Sequence, residues 1–110
     1  MGSLAVGSVV LVNFPFANLK GYKKRPALVL APSSLDTVIL CQITSRRLPN
    51  VPAVELSEDD FARGRLPSTS YARPDKLFTV DSVLAKQAQL GLISSEKLAV
   101  VKAAARELFA

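Results

Sequence analysis

The sequence predicts a mainly β protein of the α+β class, a small SH3-like barrel of short antiparallel strands with one C-terminal helix. Short apolar segments rich in β-branched residues recur along most of the chain. Seven prolines and five glycines supply the turns between them, and only the C-terminus has apolar residues at helical spacing. A length of 110 residues leaves room for one modest core, so a single domain over residues 1–110 is expected.

The first half of the chain predicts three strands. Residues 9–14 are apolar and β-branched and predict the first strand, whereas residues 15–24 predict a long loop around Gly21. Residues 26–31 predict the second strand, because proline is tolerated at a first position. Residues 37–44 are apolar almost throughout, which predicts a central third strand with Cys41 buried in it.

The second half predicts shorter strands and the helix. Residues 48–55 predict a short strand, and residues 57–62 predict a helical turn capped by Ser57. Two further strand pieces, 71–73 and 76–80, are separated by Pro74 and Asp75. A last strand is expected at 85–90, ended by Gly91. Ser94 is a favourable N-cap for the terminal helix, in which Leu98, Val101, Ala105 and Leu108 recur on one face. A barrel this small buries little surface alone, so a homodimer is expected.

The net charge of +5 is concentrated in the first half of the chain. Residues 1–50 contain six basic side chains and one acidic side chain, whereas residues 51–110 contain eight of each. The excess lies in two clusters, at 20–25 and 46–47. Clustered cations favour a polyanionic partner, because phosphate contacts need several basic groups on one face; ordinary solvated lysines are the alternative.

Composition excludes several chemistries. The chain has no histidine and one cysteine, which removes Ser-His-Asp and Cys-His catalysis and zinc sites. No glycine-rich phosphate loop is present. The adjacent carboxylates Glu58, Asp59 and Asp60 point in different directions on a short turn, so we expect neither a metal site nor a cofactor.

The N-terminal segment predicts no targeting signal. Residues 1–19 are uncharged, but a basic start is missing, and Gly7, Ser8, Asn13 and Pro15 interrupt the apolar run. Neither a signal peptide nor a membrane span is expected. Together with the lone cysteine, this predicts a soluble cytoplasmic protein.

One reaction suits the remaining side chains. RNA supplies its own nucleophile, the 2′-hydroxyl, so the protein needs only to hold the backbone in line and stabilise the charge that develops on phosphorus. Arginine does this through a planar, permanently charged fork, and a threonine or serine hydroxyl adds a hydrogen bond.

Several segments resemble, in the same order, those of the MazF/PemK toxins. Residues 7–16 are similar to the opening strand of that family, and Lys24-Arg25-Pro26 with the aliphatic residues after it is similar to its second strand. Residues 41–45 (Cys-Gln-Ile-Thr-Ser), residues 70–77 and the capped terminal helix also resemble family features. Residues 48–66, in the variable middle of the chain, carry no information about this resemblance.

This resemblance implies a plasmid-toxin barrel, a homodimer, and metal-independent, sequence-selective cleavage of single-stranded RNA that leaves 2′,3′-cyclic phosphate and 5′-hydroxyl ends. It also implies a cognate antitoxin with an acidic, partly disordered tail. The family's catalytic arginine and threonine fall on Arg25 and Thr44. Arg25 begins one strand and Thr44 ends the next, so in an antiparallel pair they can lie at the same end. The candidate RNA-binding residues are Lys20, Tyr22, Lys23, Lys24, Gln42, Ser45, Arg46, Arg47 and Ser70.

Two points limit the resemblance. Ser8 stands where the family commonly has an acidic residue. Arginine is a poor proton acceptor, so Arg25 is assigned charge stabilisation and the general base stays unidentified. Two other functions stay open: a non-enzymatic toxin resembling CcdB, which binds a topoisomerase, and an SH3-like module that binds RNA without cleaving it.

Overall fold

Antiparallel strand pairing organises the molecule. The computed structural model describes residues 4–15 and 21–110, and within them seven strands form one sheet in the order β4-β6-β3-β2-β1-β7-β5. The strands are β1 (Ser8–Pro15), β2 (Tyr22–Pro32), β3 (Thr37–Thr44), β4 (Val54–Leu56), β5 (Phe61–Gly64), β6 (Ser70–Asp81) and β7 (Gln89–Ile93); the helices are a 3-10 turn (Glu58–Asp60), α1 (Ser82–Lys86) and α2 (Ser95–Glu107). The sheet curls into a nearly closed barrel, which confirms the predicted mainly β fold with its C-terminal helix.

Both faces of the central strands are buried, because successive side chains alternate between them. One face contributes to an α2-side core, formed by Val9, Leu28, Leu30, Cys41, Ile43, Leu56, Leu66, Ala72, Ile93 and Val101. The other contributes to an α1-side core, formed by Val10, Val12, Ala27, Val29, Val38, Leu40 and Ala85. This explains why residues 37–44 are almost continuously apolar, and the predicted third strand is confirmed.

The second strand begins earlier than predicted. Residues 22–25 pair with β1, from Tyr22 opposite Pro15 to Arg25 opposite Val12. The prediction of a loop up to residue 24 is therefore wrong for residues 22–24. Backbone hydrogen bonds to β1 hold this exposed, polar segment extended although its composition is typical of a loop. The rest of the predicted loop, residues 16–20, lies outside the described residues.

β6 is continuous where the sequence predicts two pieces. Gln42 of β3 is opposite Arg73, but Cys41 is opposite Leu77. Pro74, Asp75 and Lys76 therefore form a bulge within the strand. A bulge accommodates a proline, which has no amide hydrogen for the ladder, so Pro74 bends β6 without ending it.

Three predictions between residues 48 and 91 are wrong. Residues 48–53 form no strand, because Pro49 and Pro52 lack amide hydrogens and Asn50 adopts a left-handed φ of 63° in a turn. α1 occupies the start of the predicted strand 85–90. Gly91 lies inside β7 instead of ending it, because its backbone packs against β5: a Cβ there would be 2.6 Å from the carbonyl oxygen of Arg63.

The terminal helix forms as predicted. The Ser94 hydroxyl accepts a hydrogen bond from the Lys97 amide at 3.1 Å, and Val101 and Ala105 are buried beneath the helix. Leu108 is the exception, since it is 46% exposed. Cys41 is buried as expected, and desolvation raises the pKa of its thiol to about 12. In the described part of the chain, no helix combines the length and apolar character needed to cross a membrane.

Candidate active site

Arg25 and Thr44 come from neighbouring strands at one end of the sheet. The pairing of β2 with β3 places Ala27 opposite Gln42, and the same register continued by two residues brings Arg25 beside Thr44. Both residues line one cavity of about 340 Å³. A permanent cation and a hydroxyl therefore border the same cavity at the ends of two adjacent strands.

Four of the predicted RNA-binding residues line the same cavity: Lys23, Lys24, Ser45 and Ser70. The two lysines are exposed and extend the positive charge of Arg25 along β2. Ser70 is buried, and its hydroxyl donates to the Ser68 carbonyl at 3.0 Å. That bond ties β6 to the preceding loop, whose Leu66, Pro67 and Ser68 line the cavity. Ser70 therefore has a structural role beside the site.

Four other predicted residues, Tyr22, Gln42, Arg46 and Arg47, are not part of the cavity lining. Tyr22 is 72% exposed at the start of β2. Gln42 lies two residues before Thr44 and lines a neighbouring groove. Arg46 and Arg47 are exposed and follow the end of β3 after Ser45. Lys20 lies outside the described residues.

A hydrogen bond from the backbone orients Thr44. The Arg46 amide donates to the Thr44 hydroxyl oxygen at 3.2 Å. A hydroxyl has one hydrogen and two acceptor positions, so this bond uses an acceptor position and leaves the hydrogen to donate to a ligand.

The strand register adds two residues that sequence reasoning missed. Thr44 lies opposite Tyr71 of β6, and Tyr71 lies opposite Glu55 of β4. Arg25, Thr44, Tyr71 and Glu55 therefore form one row across four adjacent strands, each about 4.8 Å from the next. Nothing local in the sequence marks Tyr71 or Glu55 as neighbours of Thr44, because their pairing is fixed by strands far apart in the chain.

An ion pair between the buried Arg73 and the more exposed Asp75 supports the strand beside the site. The Arg73 guanidinium donates through Nε to Asp75 Oδ1 at 2.9 Å and through Nη2 to Oδ2 at 2.7 Å. Hydrogen bonds from Arg73 lower the pKa of the Asp75 carboxyl, and the same bonds raise the pKa of Arg73. Because the Asp75 carboxylate accepts from two donors on one edge of this guanidinium, the pair holds the bulge of β6 and compensates both charges.

Comparison with known proteins now identifies the family. The family described as PemK-like, MazF-like toxin of type II toxin-antitoxin system matches residues 5–109. The chain belongs to this family. No curated protein matches the sequence.

Solved structures of MazF toxins have the same fold. The MazE-MazF structure (Form-II) from Deinococcus radiodurans is 24% identical, with a TM-score of 0.75 and coverage of 99% of this chain and 97% of that chain. MazF (Form-I) from the same organism is 24% identical, with a TM-score of 0.74 and coverage of 99% and 98%. Mycobacterium tuberculosis toxin MazF-mt6 is 17% identical, with a TM-score of 0.65 and coverage of 91% and 95%. At these identities the likeness establishes the shared fold.

Asp60 of this MazF-like toxin has a structural role in the 3-10 turn. Asp60 accepts hydrogen bonds from the Ser57 amide at 2.8 Å and hydroxyl at 3.1 Å, and its Oδ1 lies 3.5 Å from Lys97 Nζ. Desolvation raises the pKa of Asp60, but these hydrogen bonds and the lysine charge outweigh it and lower the pKa overall. Within residues 4–15 and 21–110, no three cysteine or carboxylate side chains converge as metal ligands.

Proposed function

We propose that this toxin is an endoribonuclease that cleaves single-stranded RNA without a metal ion, using Arg25 and Thr44. The supporting observation is that both residues, from separate strands, line one cavity together with Lys23 and Lys24. A guanidinium, an oriented hydroxyl and two lysines in one place suit a phosphodiester.

The reaction uses the nucleophile that RNA carries. The 2′-oxygen loses its proton and forms a bond to the adjacent phosphorus, and the bond from phosphorus to the 5′-oxygen breaks. The 5′-oxygen takes up a proton, which leaves a 2′,3′-cyclic phosphate and a 5′-hydroxyl end. Arg25 stabilises the negative charge on the phosphorane oxygens, and Thr44 donates its hydroxyl hydrogen to one of them. The general base is not assigned.

The basic clusters would bind the RNA backbone on both sides of the cleaved bond. Lys23 and Lys24 are exposed on β2, and Arg46 and Arg47 are exposed after β3. Phosphate contacts of this kind release counterions, so binding should weaken steeply with salt.

We propose a homodimer and a cognate antitoxin as partners. Membership of a type II toxin–antitoxin family supports the antitoxin, as do the MazE-MazF structures from Deinococcus radiodurans. An acidic, partly disordered tail would complement the basic clusters and block the site. The proposed substrate places the action in the cytoplasm.

The test is incubation of the purified protein with mixed-sequence single-stranded RNA in excess EDTA. We expect discrete fragments with cyclic-phosphate and 5′-hydroxyl ends. Intact RNA that still binds the protein in a salt-dependent way would indicate a non-cleaving RNA-binding module. Intact RNA with inhibition of DNA supercoiling by a topoisomerase would indicate a toxin resembling CcdB.

A further inference from the structure

We propose that an open groove beside the cavity binds one unpaired base of the RNA, next to the cleaved bond, and that Gln42 selects this base. The inference rests on the proposed ribonuclease function and adds how the sequence of the substrate is recognised. The groove has a volume of about 570 Å³, and its lining includes Asn13, Phe14, Gln42 and Phe78. This size is in the range of sites for small organic groups.

Aromatic rings supply an apolar surface for a base. Phe14 and Phe78 are partly buried, and their ring centroids lie 4.6 Å apart with an interplanar angle of 67°. Each ring fixes the other in an edge-to-face arrangement. Unpaired bases stack on such preorganised aromatic side chains, and stacking accepts any base because every base has a π-face.

An amide supplies the selectivity that stacking lacks. Gln42 is partly exposed in the lining of the groove, where its amide can reach a bound base. A glutamine amide both donates and accepts, so it can match the hydrogen-bonding edge of one base better than the others. Asn13 offers a second amide in the same groove.

The position of Gln42 connects the groove to the cleavage site. Gln42 precedes Thr44 by two residues on β3, so both side chains lie on the same face, about 7 Å apart along the strand. A phosphate held by Arg25 and Thr44 would therefore bring the base of the next nucleotide over Gln42. Gln42 of the groove and Thr44 of the cavity are therefore two residues apart on one strand.

Local charge also suits a nucleotide. Lys76 lines the groove and is exposed, so it can contact a flanking phosphate. Asp75 lines the groove too, but its carboxylate is bound by Arg73 through two hydrogen bonds. The groove therefore presents an available cation and a carboxylate whose charge is compensated, which favours a nucleotide over a cationic peptide.

The test compares cleavage of a single-stranded RNA library with one randomised region by the wild type, Gln42→Glu and the control Gln89→Glu. Gln89 is exposed on β7, outside the groove, and undergoes the same chemical change. Because a glutamate only accepts hydrogen bonds, Gln42→Glu should change the relative cutting of the four bases at one position beside the cut by about tenfold. The preference of Gln89→Glu should equal that of the wild type.

The outcomes separate this inference from the proposed function. Cleavage with the same base preference in all three proteins would overturn the base-binding groove and leave the ribonuclease intact. Absence of cleavage by the wild type would overturn both. If Gln42→Glu alters only the monomer–dimer equilibrium in sedimentation and not the base preference, the groove is a contact between two copies of the chain and the inference is wrong.

Discussion

Thr44 lies directly opposite Tyr71 in the pairing of β3 with β6, and the Arg47 guanidinium carbon lies 5.9 Å from the centroid of the Tyr71 ring. This relationship puts an aromatic ring beside the proposed catalytic hydroxyl, with a cation over one face. Ring and guanidinium together form a surface on which an unpaired base can stack.

We predict that Tyr71→Ala weakens binding of single-stranded RNA by about 5- to 100-fold, the effect of losing one stacking platform. Tyr71→Phe should keep most of the affinity, because the ring and not the hydroxyl makes the contact. Fluorescence titration at fixed salt measures both. The control is Phe109→Ala, which removes an exposed aromatic ring near the C-terminus. Equal affinities for Tyr71→Ala and this control would contradict the role of Tyr71.

The Arg73–Asp75 pair predicts a loss of stability on substitution. Asp75→Asn leaves the buried Arg73 guanidinium without its counter-charge, so the free energy of unfolding should fall by about 1–3 kcal/mol. Asp59→Asn, at an exposed carboxylate of the 3-10 turn, should change it by less than about 0.5 kcal/mol. Urea unfolding followed by circular dichroism measures the difference, and equal values for the two variants would show that the pair stabilises nothing.

Stability should also fall in acid. The pKa values of Asp60 and Asp75 lie below the usual 3.8 in the folded protein, so below about pH 4 the unfolded state binds more protons than the folded state. The stability that these carboxylates contribute is complete above that pH and is lost as the pH falls through their folded pKa values. Urea unfolding between pH 7 and pH 2.5 measures this loss, which should be smaller in Asp75→Asn. If the free energy of unfolding of Asp75→Asn fell by as much between these pH values as that of the wild type, Asp75 would not contribute to the acid sensitivity.

Cys41 should be unreactive in the native protein. Burial raises the pKa of its thiol to about 12, so at pH 8 almost no thiolate is present and no reagent can reach it. We predict negligible labelling by a disulfide reagent in buffer and rapid labelling of one thiol in 6 M guanidinium. Rapid labelling of the native protein would mean that the α2-side core opens easily.

The fold was largely predictable where patterns are local. The apolar run at 37–44 predicted β3. Ser94 and the apolar residues spaced along one helical face after it predicted α2. Both signals depend only on residues that are close together in the sequence. The start of β2 was not predictable, since Lys23 and Lys24 are extended only through pairing with β1. β5 was missed because the sequence of residues 61–64 has no strand pattern and the strand is held by β7.

The candidate site was predictable only in part, for a related reason. Arg25 and Thr44 were suggested by the resemblance and by their positions at strand ends. Tyr71 and Glu55 join their row only through the register of β3, β6 and β4. Cross-strand register depends on the whole sheet, and the bulge at Pro74 shifts it by three residues, so no local feature of the sequence shows which residues lie opposite Thr44.

The most direct test of the central claim measures cleavage and binding separately in Arg25→Ala and Thr44→Ala. The control is Arg106→Ala, which removes an exposed arginine from the last turn of α2. We predict that single-turnover cleavage in EDTA falls by about 100- to 1,000-fold in each of the two variants, as for other lost transition-state contacts. Affinity for a non-cleavable RNA should fall by about tenfold or less, because several cations share binding. Cleavage by either variant at the rate of Arg106→Ala would contradict the assignment of Arg25 and Thr44.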